Sequence, residues 1–294
     1  MLRGRTAALA SALAVAVAAV VTAGCGGGST SSALSLDPVA AAATKSQSAG
    51  AARVRLSIAV SGPQGKTFHL RGTGAIDGPS SELTFKLGSL LGEAALPSAA
   101  PTQLAHGSLR EITLQEDGDY VIYVRLGSLL SSQLPGGQQW IRLDLSKLGK
   151  SAGLDLSKLL SGSQMQPGDL LSLLRTDGAK IHKVGSATVD GVATTHYRVV
   201  VDTSSRLKEL GTSPLLAGVA AQMPRIPEDV WVGKDGLVRR VRVSVDLPHG
   251  TTPVRTAVAM DLYDYGAQVD IAAPPAGQVF DATDLAQQGL GGLH

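Results

Sequence analysis

Asparagine is missing altogether from the 294 residues, cysteine occurs once, and the aromatics amount to three Phe, five Tyr and two Trp. Without Asn there is no N-glycosylation acceptor. One Cys can close no internal disulfide and build no cysteine zinc cluster. So few rings argue against an aromatic cage for sugars or cations. An excess of one charge is missing too: 26 Lys and Arg stand against 24 Asp and Glu, a formal net charge of +2. That excludes a nucleic-acid partner held by a basic face, which needs clustered cations to displace counterions. What is present is 44% hydrophobic and 17% charged residues, enough apolar surface to fold rather than stay disordered.

Signatures of catalysis and cofactor binding fail on spacing. Gly62-Pro63-Gln64-Gly65-Lys66-Thr67 ends like a phosphate loop but has two residues between its glycines where four are needed. It reads as a hairpin turn. Gly72-Thr73-Gly74 lacks the third glycine of a dinucleotide fingerprint, since Asp77 stands there, and reads as a strand pair or bulge. No G-x-S-x-G nucleophile elbow occurs; Gly211-Thr212-Ser213-Pro214-Leu215 fails at its last position. His69, His106, His182, His196, His249 and His294 form no helical i, i+4 ligand pair. Glu116, Asp117 and Asp119, and likewise Asp261 and Asp264, read as solvated turn carboxylates. The sequence therefore points to no catalytic residue, no metal and no cofactor.

The first 25 residues read as an address. Arg3 and Arg5 precede Ala7 to Val21, a run of 15 residues broken only by Ser11, and Ala23 and Gly24 follow. This is the anatomy of a secretory signal, too short for the roughly 20 residues of a spanning helix. The only Cys falls where cleavage is expected, in Val21-Thr22-Ala23-Gly24-Cys25. The stretch resembles a bacterial lipobox, which implies acylation of the Cys25 thiol and cleavage before it. Gly26 to Ser32 then reads as a flexible tether. Cleavage removes two bases and no acid, leaving 24 of each, so attachment to a membrane falls to the lipid and not to a basic surface. The expected division is a signal peptide over 1–24, lipidated Cys and tether over 25–36, and one domain over 37–294. The expected location is the outer face of the cytoplasmic membrane.

Beyond the tether, Ala-rich sequence after Asp37-Pro38 predicts a short helix to about Ser48, with Pro in its first turn. Two-residue alternation then takes over in Val54 to Val60, Leu83 to Leu87, Arg240 to Asp246 and Val254 to Leu262, the period of half-buried antiparallel strands. Asp-Gly pairs at Asp77, Asp117, Asp190 and Asp235 lie between such runs and predict four tight hairpins, hence eight or more strands. Tyr120 to Val124 is apolar at every position and predicts a strand covered on both faces. Leu-rich, Gly-containing sequence over 144–174, with Asp-Leu-Ser-Lys-Leu at Asp144 and again at Asp155, predicts short helices, and 204–223 predicts a broken amphipathic one. The fold class is α+β: a large antiparallel sheet with short helices packed on it.

Four segments carry a resemblance: Trp140 to Leu145, Val189 to Arg198, Val230 to Arg240, and Tyr263-Asp264-Tyr265-Gly266 running to Ala273-Pro274-Pro275. With the lipobox in front, the chain resembles the actinobacterial lipoproteins of the LppX/LprG type and the wider LolA-like group. That resemblance implies a sheet curved into an open half-barrel, its concave face covered by short α-helices, with acyl chains accepted between sheet and cover and no chemistry performed. The lining expected from strand patterning is Leu56, Ile58, Phe85, Val121, Val243, Val258 and Met260, with a mouth near 144–174 or 204–223. The expected partners are a membrane, through Cys25, and a lipid or acyl-chain ligand, bound by a monomer. Two other classes stay open: a sensor or protein-interaction module with a filled core, and an anchored hydrolase, for which no motif is found.

Overall fold

The computed structural model describes residues 38–61, 67–86, 107–127, 134–151, 180–202, 225–247 and 254–291. Their strands are β1 (Ala52–Ser61), β2 (Thr67–Asp77), β3 (Ser80–Lys86), β4 (Ser108–Glu116), β5 (Asp119–Leu126), β6 (Trp140–Asp144), β7 (Lys180–Val189), β8 (Val192–Asp202), β9 (Arg225–Gly233), β10 (Val238–Leu247), β11 (Val254–Tyr263) and β12 (Val279–Asp281). All twelve belong to one open sheet in the order β12-β6-β5-β4-β3-β2-β1-β11-β10-β9-β8-β7. Two meanders, β1 to β6 and β7 to β11, are sewn together where β1 pairs antiparallel with β11, Val54 opposite Leu262 and Ile58 opposite Val258. The one parallel pairing among the described strands is β12 on β6.

Two of the four Asp-Gly turns have the expected geometry. Asp117 and Gly118, and Asp190 and Gly191, all take positive φ, the double left-handed conformation that matches strand twist. At Asp77 the turn is displaced by one residue. Asp77 pairs with Ser80 around Gly78-Pro79, because the proline ring holds φ negative and only Gly78 can take the left-handed position. At Asp235 the connection is four residues long, and the Gly236 amide donates to the Gly233 carbonyl at 2.9 Å.

The expected first helix is α1 (Pro38–Ser48), which buries Val39, Ala42, Ala43 and Ser46, the i, i+3, i+4, i+7 stripe of a helix lying on a core. Its small residues let it sit close on the sheet, where Val39, Ala42 and Ala43 join Val54, Val230, Val238, Val241 and Leu262. A polar clasp fixes it: the Val238 amide donates to Ser46 Oγ at 2.9 Å, and Tyr265 Oη donates to the Val238 carbonyl at 2.6 Å. Burial pushes the Tyr265 phenol up to about 12, so it stays a donor at any physiological pH. Tyr265→Phe should leave a buried carbonyl unpaired and lower the unfolding free energy by about 1 to 2 kcal/mol. Equilibrium urea unfolding measures it, and an unchanged midpoint would show that the clasp contributes nothing.

At the other wing, α2 (Leu145–Ser151) and α3 (Thr283–Gly291) pack on each other beside β5 and β6. Asp144, the last residue of β6, caps α2 through its carboxylate to the Lys147 amide at 3.0 Å, and its own amide donates to Thr283 Oγ1 at 3.0 Å. Here β5 is covered on both faces, as its uniform apolarity predicted. Tyr120 and Ile122 are buried on one side, while Val121 and Tyr123 pack on the other with Ile112 and Trp140, under Leu114, Ile271 and Val279. The α+β class and the open antiparallel sheet agree with expectation. Of the expected helical segments, 152–174 and all of 204–223 lie outside the described residues.

Candidate functional site

Cross-strand partners share a face of the sheet, so the register assigns one continuous apolar surface over β3-β2-β1-β11-β10. On it stand Leu83 and Phe85, Phe68 and Leu70, Val54 to Val60 at alternate positions, Val258 to Leu262 likewise, and Val241, Val243 and Val245. Gly72 and Gly74 interrupt this surface for a steric reason. A Cβ on Gly72 would lie 2.7 Å from Cδ1 of the Phe85 ring, so the ring occupies the space that a side chain would take.

Coverage falls along the strands. Beneath α1, Val54, Leu262, Val241 and Val238 are sealed. Away from α1, Val60, Leu70 and Val258 are half-buried against the same cluster, and Phe68, Val243 and Val245 are half-buried too. The surface thus grades from closed core into partly covered hydrocarbon, which suits apolar contact.

Six of the seven sequence-assigned residues share this face. Leu56, Ile58, Phe85 and Met260 are buried and Val258 packs against them, while Val243 pairs directly with Val258. Val121 stands on the opposite side of the sheet, in the Ile112, Tyr123 and Trp140 cluster, because its partners are Leu114 and Asp144 whereas Ile122 and Val124 hold the parity of the apolar face. Cys25 lies outside the described residues, and so does most of the expected mouth.

Two carboxylates stand on the apolar face, and patterning did not single out either. Glu228 on β9 lies opposite Val199 and Val243 and is buried. Glu111 on β4 lies between Leu83 and Val124 and is half-buried. Burial pushes the Glu111 carboxyl up, partly offset by a hydrogen bond with the Thr113 hydroxyl.

The other face carries charge in matched pairs. Arg240 makes a two-pronged contact with Asp261 directly across from it. Arg55 lies over the Tyr263 ring and reaches Asp190 at 2.9 Å. His196 stacks flat on Trp231 with centroids 4.3 Å apart, its Nε2 2.8 Å from Asp229 Oδ1, and Arg198 Nε donates to the same carboxylate at 3.0 Å. Burial works against the charge on Asp229, but the hydrogen bonds from Arg198 and His196 prevail and hold its carboxyl below the usual range. Arg142 bridges Glu116 at 3.4 Å and Asp281 at 2.8 Å. Glu116 and Asp261 are therefore ion-paired rather than simply solvated; Asp264 is exposed, 3.9 Å from Arg53. Cross-strand ion pairs of this exposed kind contribute little each and mainly fix the register. Only the register reveals them, since partners such as His196 and Asp229 are 33 residues apart. Among the described residues no group of three or more His, Cys, Asp or Glu could hold a metal ion, and no helix is long and apolar enough to cross a membrane.

No family model matches the chain, and no curated protein does. Among solved structures, the chain is similar to the lipoprotein LppX of Mycobacterium tuberculosis, at 16% identity over 80% of this chain and 100% of that one, with a TM-score of 0.41. It is also similar to LprF from Mycobacterium bovis, at 12% identity over 81% and 96%, with a TM-score of 0.40. A LolA superfamily protein from Nitrosomonas europaea matches at 9% identity over 80% and 95%, with a TM-score of 0.23. These are structures of the groups that the sequence resembles.

Proposed function

We propose that this chain is an exported lipoprotein, anchored through an acylated Cys25 to the outer face of the cytoplasmic membrane, whose domain binds the acyl chains of a lipid as a monomer and catalyses nothing. The observation that carries the reading is the graded apolar face. Val60, Phe68, Leu70, Val243, Val245 and Val258 continue a sealed core without themselves being sealed, and hydrocarbon left half-covered marks a binding surface when it is contiguous. Acyl chains match it chemically, because aliphatic side chains provide area without demanding partners for polar groups. A pocket for such a ligand encloses on the order of 300 to 1,000 Å³, the upper end or beyond for two chains.

The test is mass spectrometry of organic extracts from protein purified under native conditions. Lipid at near one molecule per chain is expected. Val258→Trp places an indole between Ile58 and Val243, its partners on either side, and should reduce co-purified lipid by about tenfold, equivalent to 1.4 kcal/mol of affinity, with the circular dichroism spectrum retained. Extracts free of lipid from both proteins would instead support an interaction module with a filled core.

A further inference from the structure

Glu111 is a carboxylic acid on the apolar side of a sheet whose charges otherwise sit almost wholly on the other side. On the three strands around it, Glu82, Lys86, Arg110 and Arg125 all have the opposite parity. The positions flanking Glu111 on its own face are Leu83, Phe85 and Ser81 from β3, Ile122, Val124 and Leu126 from β5, and Leu109 and Thr113 along β4, none of which titrates. Among the described residues no cation forms an ion pair with Glu111, and its hydrogen bond is with the Thr113 hydroxyl. Glu111, Thr113 and Ser81 thus make a small polar patch bordering the apolar row Phe85, Leu109 and Leu126.

Resting on the acyl-binding reading above, we propose that this patch receives the polar end of the ligand, and that the ligand is an uncharged lipid of the diacylglycerol class, with Glu111 in its neutral acid form donating to an ester or hydroxyl oxygen. An acid set among apolar neighbours without a cation resists ionisation, since the charged form loses hydration and gains only the Thr113 hydroxyl in return; the upward push on its pKa agrees. As an acid it supplies a donor, and Thr113 and Ser81 can each donate or accept. A phosphate or carboxylate headgroup would find no counter-charge on these neighbouring positions and would be repelled once Glu111 ionised. Rising pH therefore weakens binding, first by removing the donor and then by placing an unpaired charge in the site.

The test uses the full chain, stripped of lipid, with two probes of identical acyl chains: a pyrene-labelled diacylglycerol and the corresponding phosphatidic acid. Wild type should prefer the diacylglycerol and lose affinity as pH rises. Glu111→Leu should weaken diacylglycerol binding by roughly five- to tenfold, the worth of a hydrogen bond, and still unfold cooperatively because Leu suits its apolar neighbours. Glu111→Gln keeps a donor and should bind within about twofold of wild type, with the pH dependence gone. Undiminished binding by a folded Glu111→Leu, or equal binding of phosphatidic acid by wild type, overturns this assignment alone. Binding of neither probe to wild type overturns the acyl-binding reading and this one with it.

Discussion

Gly74→Val should lower the unfolding free energy by roughly 3 kcal/mol or more, at the upper end of what overpacking costs. A Cβ on Gly74 would overlap the Glu82 carbonyl oxygen and lie 2.9 Å from its carbon and 3.0 Å from Leu83 Cα. All three atoms are backbone, so no rotamer change relieves the clash. The β2 and β3 strands would have to part, and with them the pairing that brings Phe85 over Gly72. Gly185→Ala is the control: it stands in a strand with nothing within 4 Å of the added carbon and should change stability by less than about 1 kcal/mol. Equilibrium unfolding of the two variants compares them directly. A Gly74→Val protein with wild-type stability would mean that the two strands do not approach so closely.

Cys25→Ser should abolish membrane attachment almost completely. The thiol is the proposed acylation site, the chain left by the proposed cleavage would carry no net charge to hold it to anionic lipid, and two acyl chains are what stable anchoring requires. Serine offers an oxygen that does not take the thioether-linked lipid, so the precursor should either accumulate uncut or be released. Fractionation followed by intact-mass measurement reads both. A variant that remains with the membranes at the mature mass would show that Cys25 is not the anchor.

The two carboxylates of the apolar face show where patterning stops being informative. In Leu109-Arg110-Glu111-Ile112-Thr113-Leu114, alternation sorts Ile112 and Leu114 onto one side and Glu111 onto the other, which reads as core and solvent. The structure has a hydrophobic cluster on each side of β4: Ile112 and Leu114 pack with Trp140 and Ile271, while Leu109 and Glu111 continue the large apolar face. A period of two assigns residues to sides but does not say which side is covered. Val121 illustrates the same limit. Every residue from Tyr120 to Val124 is apolar, so the run announces a doubly covered strand yet leaves its parity open until the register with β4 and β6 is known.

The sequence by itself determined the local structure of this protein wherever the cause was local. Pro38 at a helix start, alternation in β1, β3, β10 and β11, and left-handed turns at Asp117-Gly118 and Asp190-Gly191 all follow from steric limits on a few consecutive residues. Only the tertiary structure decided that β1 joins β11 across some 200 residues, that β12 adds a parallel edge beside Trp140, and that Arg240 meets Asp261 and His196 meets Asp229 on one face while Glu111 stands among Leu83 and Val124 on the other. These contacts join strands whose pairing depends on competition among all the apolar faces at once. No stretch of a few residues contains that competition, so its outcome is written in the register and not in the pattern.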